Sequence, residues 1–283
     1  MEKKFITKFG LRELAEDKRD FKLSGIMKLP PLEELPAEFE LEPLEIKDQL
    51  DTDYCTQMAC CGASELQEGM KLSPEWCFAV SKKMSYDPEE YGQDLRMAMK
   101  VHTKYGAIEK KETPYSLEKG DEDNKMRYIS NWPPNLFEKA KKHQKKSFVR
   151  IDGQYDFFDD IRAFIWAFRK EKRAAVLGVN WAWPLDMKIM ETSFAPAGGH
   201  AIYCSGWKQI KGETYLVIIN SYGKEAGDQG KHYFPRSIIN QEIKKYGAFA
   251  FIDMPPKELK KLLWSPLRRL WEKVKEYFDV IWQ

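Results

Sequence analysis

Apolar residues in the first half of the chain recur at helical spacing. From Cys55 onward the intervals are three and four residues, as expected for one buried face of a helix that stops at Gly69. The apolar positions are Met58, Ala59, Gly62, Ala63 and Leu66. A second helix is predicted from about Gln93 to Tyr105. The polar, Gly- and Pro-containing stretch 115–135 predicts a surface loop. These patterns indicate a helical first half.

The second half changes to short apolar or β-branched runs. One more helical repeat comes first, at Phe158, Ile161, Ile165 and Phe168. Strand-like runs then follow at 174–179, 201–204, 214–220 and 248–252, separated by Gly-rich turns. Helices followed by strands along one chain predict an α+β fold.

Both ends of the chain differ from this central part. Residues 1–36 are charged and interrupted by prolines, which predicts an extended arm laid over a domain. Whether this N-terminal arm only covers the surface or also blocks a cleft stays open. Residues 37–254 form the predicted main domain, and 255–283 form a C-terminal tail.

The tail has an amphipathic helical pattern. Its apolar stripe is Leu259, Leu263, Leu267, Leu270, Val274, Phe278 and Ile281, with Trp264, Trp271 and Trp282 beside it. Seven Lys and Arg against four Asp and Glu give residues 257–283 a net charge of +3. Three readings stay open for this tail: docking on its own domain, packing on a partner protein, or lying on a membrane surface.

Charge and composition reduce the number of function classes that fit the chain. Over the 283 residues, 46 Lys and Arg nearly balance 44 Asp and Glu, so the net charge of +2 gives no general case for nucleic-acid binding. The N-terminus lacks the apolar run of a signal peptide, and no stretch is apolar enough for a membrane span. We therefore expect a soluble protein, cytoplasmic or associated with a particle. Five cysteines, an odd number, favour free thiols over a disulfide framework.

The candidate chemistry is that of a thiol. No metal-binding or nucleotide-binding motif is present, so we expect no metal and no cofactor. Cys55 comes where a helix begins, and a helix N-terminus stabilises a thiolate. His200 directly precedes an apolar strand and could serve as the base, while Asn220 could orient its ring. A side-chain amide such as that of Gln49, with the Cys55 N–H, could hold an oxyanion.

These residues occur in segments that resemble the papain family of cysteine peptidases. The segments are Ile46-Lys47-Asp48-Gln49 with Cys55 six positions on, Gly199-His200-Ala201-Ile202, Asn220-Ser221-Tyr222-Gly223 and Gly227-Asp228-Gln229-Gly230. The segment 16–21 and Thr56 after the cysteine resemble a prokaryotic subgroup, which includes bacterial, archaeal and phage members. The resemblance implies a two-lobed α+β fold. Its helical lobe would cover about 37–150, its β-rich, barrel-like lobe about 151–254, and its active site the cleft between them.

The resemblance also implies roles for single residues. Cys55 would be the nucleophile, His200 its acid–base partner, Asn220 the residue that orients His200, and Gln49 an oxyanion donor. Tyr222 stands where family members usually have a tryptophan that shields the histidine–asparagine hydrogen bond, and Gly92 and Ala201 would border the substrate. A peptide or protein is the implied substrate, without a cofactor.

One segment departs from the family pattern. Residues 50–54, directly before Cys55, contain no glycine, although the family normally turns its chain there with glycines. Asp51 and Asp53 also bring negative charge close to the thiolate. Two hypotheses therefore stay open. The first is a thiol endopeptidase or amidase, and the second is a catalytically weak or inactive relative that serves as a binding, assembly or virion-associated protein.

Overall fold

The computed structural model describes residues 9–85, 90–117, 123–191 and 197–260. Its helices are α1 (Cys55–Glu68), α2 (Pro74–Met84), α3 (Leu95–Lys104), α4 (Asp123–Arg127), α5 (Leu136–Ala140), α6 (Phe157–Ala167) and α7 (Arg236–Tyr246). Its strands are β1 (Phe39–Glu40), β2 (Ser147–Arg150), β3 (Ala175–Trp181), β4 (Gly198–Ile210), β5 (Glu213–Ile219), β6 (Lys231–Phe234) and β7 (Ala248–Ile252).

Local sequence signals account for the helix ends. The predicted helix from Cys55 is α1, and Gly69 closes it in the left-handed conformation, at φ +68°. The helix predicted from about Gln93 is α3, which begins after the cap Asp94. Helix α2 was not predicted, although Ser73 caps it and Pro74 occupies its first turn.

The strands form one antiparallel sheet in the order β2-β7-β3-β4-β5-β6, with the short β1 paired to β4. Strands β3 and β4 lie at its centre and are almost entirely buried. Their register sets Val179 opposite His200, which fixes the backbone of the candidate base within the sheet. Strand β5 pairs with β4 and ends immediately before Asn220.

Two hydrophobic cores give the molecule two lobes. The larger core lies on the sheet and contains α6 together with one side of α1, including Cys60 and Ala63. The smaller core belongs to the helical lobe and centres on Trp76 and Phe78 of α2. Helix α1 contributes to both cores, since its Met58 belongs to the smaller one. The expected α+β, two-lobed architecture is present, and α1 lies between the lobes.

The loop predicted over 115–135 was wrong in its second part. Helix α4 forms at 123–127, and the side chains of Met126 and Trp132 are buried in the helical lobe. Trp132 Nε1 donates to Met126 O at 3.1 Å. Polar residues and two prolines make up most of this stretch, so Met126 and Trp132 did not stand out as part of a periodic pattern.

The two ends of the chain are described to different extents. In the N-terminal arm, Leu11, Leu23 and Leu29 are buried in the larger core. The tail is described only to residue 260, so its predicted amphipathic stripe falls almost wholly outside the described residues. Within the described ranges, no helix has the length and apolar character needed to span a bilayer.

Candidate active site

Cys55 is the first residue of α1 and is completely buried between the lobes. No acidic side chain lies in the first turn of this helix, so its N-terminal dipole favours a thiolate. The preceding turn is made without glycine: Leu50 itself adopts the left-handed conformation, at φ +51°. Asp48 supports this turn, because its Oδ1 accepts the Leu50 N–H at 2.8 Å.

Gln49 is buried on the same side of the cleft. Its Oε1 accepts the Ser221 hydroxyl at 2.6 Å, and its Nε2 donates to Thr52 O at 2.7 Å. The Gln49 backbone N–H also donates to Ser221 O, at 2.8 Å. An amide nitrogen has two hydrogens, and the bond to Thr52 O uses one of them. These bonds hold Gln49 against the segment that carries Asn220.

His200 and Asn220 form a hydrogen-bonded pair. His200 Nε2 lies 2.8 Å from Asn220 Oδ1, and both side chains are buried. Asn220 Oδ1 also accepts the Ser221 N–H at 2.8 Å. Tyr222 places its ring centroid 5.4 Å from that of His200, and Trp181 meets His200 edge-on at the same distance. Aromatic side chains therefore exclude water from this pair.

A second histidine, His232, fixes which way the Asn220 amide faces. His232 Nδ1 donates to Met187 O at 2.7 Å, so its Nε2 is an acceptor. Asn220 Nδ2 lies 3.1 Å from this nitrogen and donates to it. Asn220 Oδ1 must then face His200, whose Nε2 carries the hydrogen. The same assignment leaves His200 Nδ1 as a bare acceptor, and this atom has no hydrogen-bond partner among the described residues.

The sulfur of Cys55 accepts backbone N–H groups from Ala201 and from Gly10 of the N-terminal arm. Despite these bonds, burial raises the pKa of the Cys55 thiol to about 12, with the charge of Asp53 adding to the effect. Burial also lowers the pKa of His200 to about 4, although the hydrogen bond that its imidazole donates to Asn220 acts in the opposite direction. Thiol and imidazole are therefore both neutral in the structure, since neither charged form is solvated.

The N-terminal arm causes this burial, because residues 9–12 lie across the cleft. Leu11 N donates to Gly199 O at 3.0 Å on the β-rich lobe. On the helical lobe, Gln93 N donates to Gly10 O at 2.9 Å, and Arg12 N donates to Gln93 O at 3.1 Å. The Leu11 side chain is 5% exposed and packs against Gly178. We call residues 9–12 the covering segment.

Gly92 lies at the edge of the cleft, beside the covering segment, and takes a positive φ of +66°. A Cβ at Gly92 would collide with Gly10 O. The Gly92 N–H donates to Asp53 Oδ2 at 2.6 Å, while the other oxygen of Asp53 pairs with Arg127 at 3.3 Å. Asp53 thus connects the turn before the cysteine to the rim of the cleft and to α4.

The structure brings the residues predicted from the sequence into one region, together with several neighbours that sequence reasoning missed. Gln49, Cys55, His200, Ala201, Asn220, Tyr222 and Gly92 all line or border the same cleft. The missed residues are His232, Arg127 and the covering segment. A histidine and an arginine in ordinary polar contexts give no signal of their own. The apolar Phe9-Gly10-Leu11 within a charged arm could have drawn attention.

Comparison with family models and with curated proteins gives no match. Solved structures, by contrast, superpose over most of the chain. Xylellain, a cysteine protease from Xylella fastidiosa, has a TM-score of 0.71 at 18% identity, over 90% of this chain and 99% of its own. Procathepsin B from Trypanosoma congolense has a TM-score of 0.59 at 15% identity, over 87% and 86%. Bromelain from Ananas comosus has 0.57 at 15%, over 78% and 100%.

The chain has the papain-like cysteine protease fold. At these identities the likeness concerns the fold alone. What the cleft does must therefore be argued from its own geometry.

Proposed function

We propose that the chain is a cysteine-type peptidase or amidase, with Cys55 as nucleophile, His200 as acid–base, Asn220 as the residue that orients His200, and Gln49 as oxyanion donor. The His200–Asn220 hydrogen bond of 2.8 Å carries the proposal, because it leaves a bare imidazole nitrogen on the residue before Ala201, whose backbone contacts the sulfur of a cysteine at a helix start. The named proteases of the same fold support it as well.

The proposed reaction follows from these positions. His200 Nδ1 takes the thiol proton, and the Cys55 sulfur attacks the carbonyl carbon of an amide. The developing oxyanion receives the Cys55 N–H and the second N–H of Gln49. The imidazolium then gives its proton to the leaving amine, and a water molecule cleaves the acyl–sulfur bond to release the acid. Throughout, Asn220 Oδ1 holds the Nε2–H of His200.

The covered cleft represents a resting state in this proposal. The covering segment occupies backbone groups on both sides of the cleft, Gly199 O on one and Gln93 on the other. A peptide substrate needs the same groups to lie extended beside Cys55. The arm must therefore leave before substrate enters, and its departure also hydrates the thiol and the imidazole.

The finer assignments are part of the same proposal. We assign the chain to the prokaryotic subgroup, and Thr56 directly after the proposed nucleophile supports this assignment. The Thr56 hydroxyl accepts Gln93 Nε2 at 2.5 Å, so it helps to build the rim. We keep the division into arm (1–36), peptidase domain (37–254) and tail (255–283), with partner or membrane contact as the role of the tail.

Cleavage of an unstructured polypeptide mixture tests the proposal. Products are identified by mass spectrometry for the wild-type chain, for Leu11→Ala, which weakens the cover, and for Leu11→Ala combined with Cys55→Ala. We expect new termini with Leu11→Ala, fewer with the wild type, and none with the double variant. Cleavage that survives Cys55→Ala contradicts the assigned nucleophile. No cleavage by a folded Leu11→Ala chain favours the binding-protein hypothesis instead.

A further inference from the structure

A buried cluster of two thiols and one imidazole lies in the helical lobe, apart from the cleft. Cys61 comes from α1, Cys77 from α2 and His102 from α3, and all three are completely buried. The sulfur atoms of Cys61 and Cys77 are 3.9 Å apart, and Cys61 Sγ lies 4.0 Å from His102 Nε2. All three atoms lie within 4.8 Å of one another.

The spacing is close to that of a tetrahedral metal site. Zinc bonds of about 2.3 Å to sulfur and about 2.0 Å to nitrogen place two sulfurs about 3.8 Å apart, and sulfur and nitrogen about 3.6 Å apart. Gln57 supplies a fourth donor atom, since its Oε1 lies 3.2 Å from His102 Nε2. The tetrahedral edge between oxygen and nitrogen is about 3.4 Å. The S–S separation of 3.9 Å and the S–N separation of 4.0 Å lie within about 0.5 Å of these values.

The cluster is also chemically suited to a soft or borderline dication. Two thiolates and one dication have no net charge, so the complex suits an interior without water. Without a metal, the two thiols have only weak hydrogen bonds, to each other and to the imidazole. The other buried thiols differ: Cys60 contacts the thioether of Met99, and Cys204 donates to Gly206 O.

We propose that Cys61, Cys77 and His102, with Gln57 Oε1, form a binding site for a zinc-like divalent cation that joins α1, α2 and α3. Sequence reasoning predicted no metal here, because the ligands come from three helices and form no short motif. The site fastens the helix that begins with Cys55 to the rest of its lobe. It rests on no assumption about peptidase activity.

Cobalt binding by the full-length chain tests the site, because the absorption spectrum of bound Co²⁺ depends on the atoms that coordinate it. The reduced, chelator-treated Cys55→Ala protein is used, so that the cleft thiol contributes nothing. Titration with Co²⁺ should give thiolate-to-metal charge-transfer absorption and the visible bands of a tetrahedral site, saturating at about one equivalent and displaced by Zn²⁺. Adding Cys77→Ala should abolish these bands, and adding Cys60→Ala, a neighbour on α1, should retain them.

A second measurement needs no variant in the cluster. Zn²⁺ should slow alkylation of Cys61 and Cys77 in mild denaturant at least tenfold, with Cys60 much less affected, since bound metal ties up two thiolates. The proposal is overturned if no charge-transfer band appears, or if the band persists in a folded Cys77→Ala chain. It is equally overturned if zinc protects no thiol, or if Cys61 and Cys77 are isolated as a disulfide that excludes metal.

Discussion

Gly10→Ala is expected to uncover the cleft while leaving the catalytic groups unchanged. A Cβ at Gly10 would stand 2.0 Å from the backbone oxygen of Asp53, well inside the 3.4 Å at which ordinary contacts begin. Backbone atoms cannot swing aside as a side chain can, so the covering segment must move away from the cleft.

The magnitude follows from the hydrogen bonds that this movement breaks. Three backbone bonds hold the covering segment: Leu11 N to Gly199 O, Gln93 N to Gly10 O, and Arg12 N to Gln93 O. At about 1 kcal/mol each, their loss amounts to about 3 kcal/mol. Since 1.4 kcal/mol is a factor of ten, the open population should rise about 100-fold.

The assay is the rate at which limiting iodoacetamide alkylates Cys55, mapped by mass spectrometry near neutral pH. Because burial raises the pKa of the covered thiol to about 12, the wild-type rate should keep rising with pH well above neutrality. The opened variant should react about 100-fold faster and reach a plateau at lower pH, once Cys55 and His200 form an ion pair.

Gly69→Ala is the matched control, since it adds the same methyl group at the end of α1 with nothing within 4 Å of it. Equal rates for the wild type and Gly10→Ala, with both folded, would refute the role given to the covering segment. Equal acceleration by Gly69→Ala would show that general loosening causes the effect.

Three further predictions concern the buried polar groups. His232→Phe removes the acceptor of the Asn220 amide, so kcat should fall about tenfold with little change in KM, and His232→Gln should restore part of it. Burial lowers the pKa of both His200 and His232 to about 4. On acidification, these histidines therefore bind protons at a higher pH in the unfolded chain than in the folded chain. Urea titrations should therefore show the free energy of unfolding falling between pH 6.5 and 4, by up to about 2.7 kcal/mol per pH unit from this pair, and His232→Gln should reduce the slope by up to about 1.4 kcal/mol per pH unit. Lys47→Met leaves the Glu65 carboxylate, now 2.6 Å from Lys47 Nζ, buried without its partner, and should cost about 3 kcal/mol in chemical denaturation. Adding Glu65→Leu should recover most of this loss, and an equally unstable double variant would contradict the explanation.

The convergence of Cys55, His200 and Asn220 was predictable because each stands at the end of an element whose pattern is visible in the sequence. The helical spacing after Cys55 gave α1. The apolar run after His200 gave the start of β4, and the run before Asn220 gave β5. Antiparallel pairing of β4 with β5 then brings the histidine and the asparagine together.

Contacts between distant segments were not predictable, since periodicity reports only a residue's own element. Asp53 was expected to destabilise the Cys55 thiolate, and its charge does raise the pKa of that thiol. Its carboxylate is also paired with Arg127. That partner lies in a stretch read as a loop. The covering segment reaches Gly199 from the other end of the chain, and no local pattern encodes that contact.

The position of the covering segment also constrains the order of events during synthesis. Residues 9–12 leave the ribosome well before β4, which contains one of their partners, Gly199. The cover therefore cannot close until most of the chain has been translated and β4 has paired with β3. A nascent chain stalled before that point exposes the Cys55 thiol, and the emergence of β4 decides when it becomes protected.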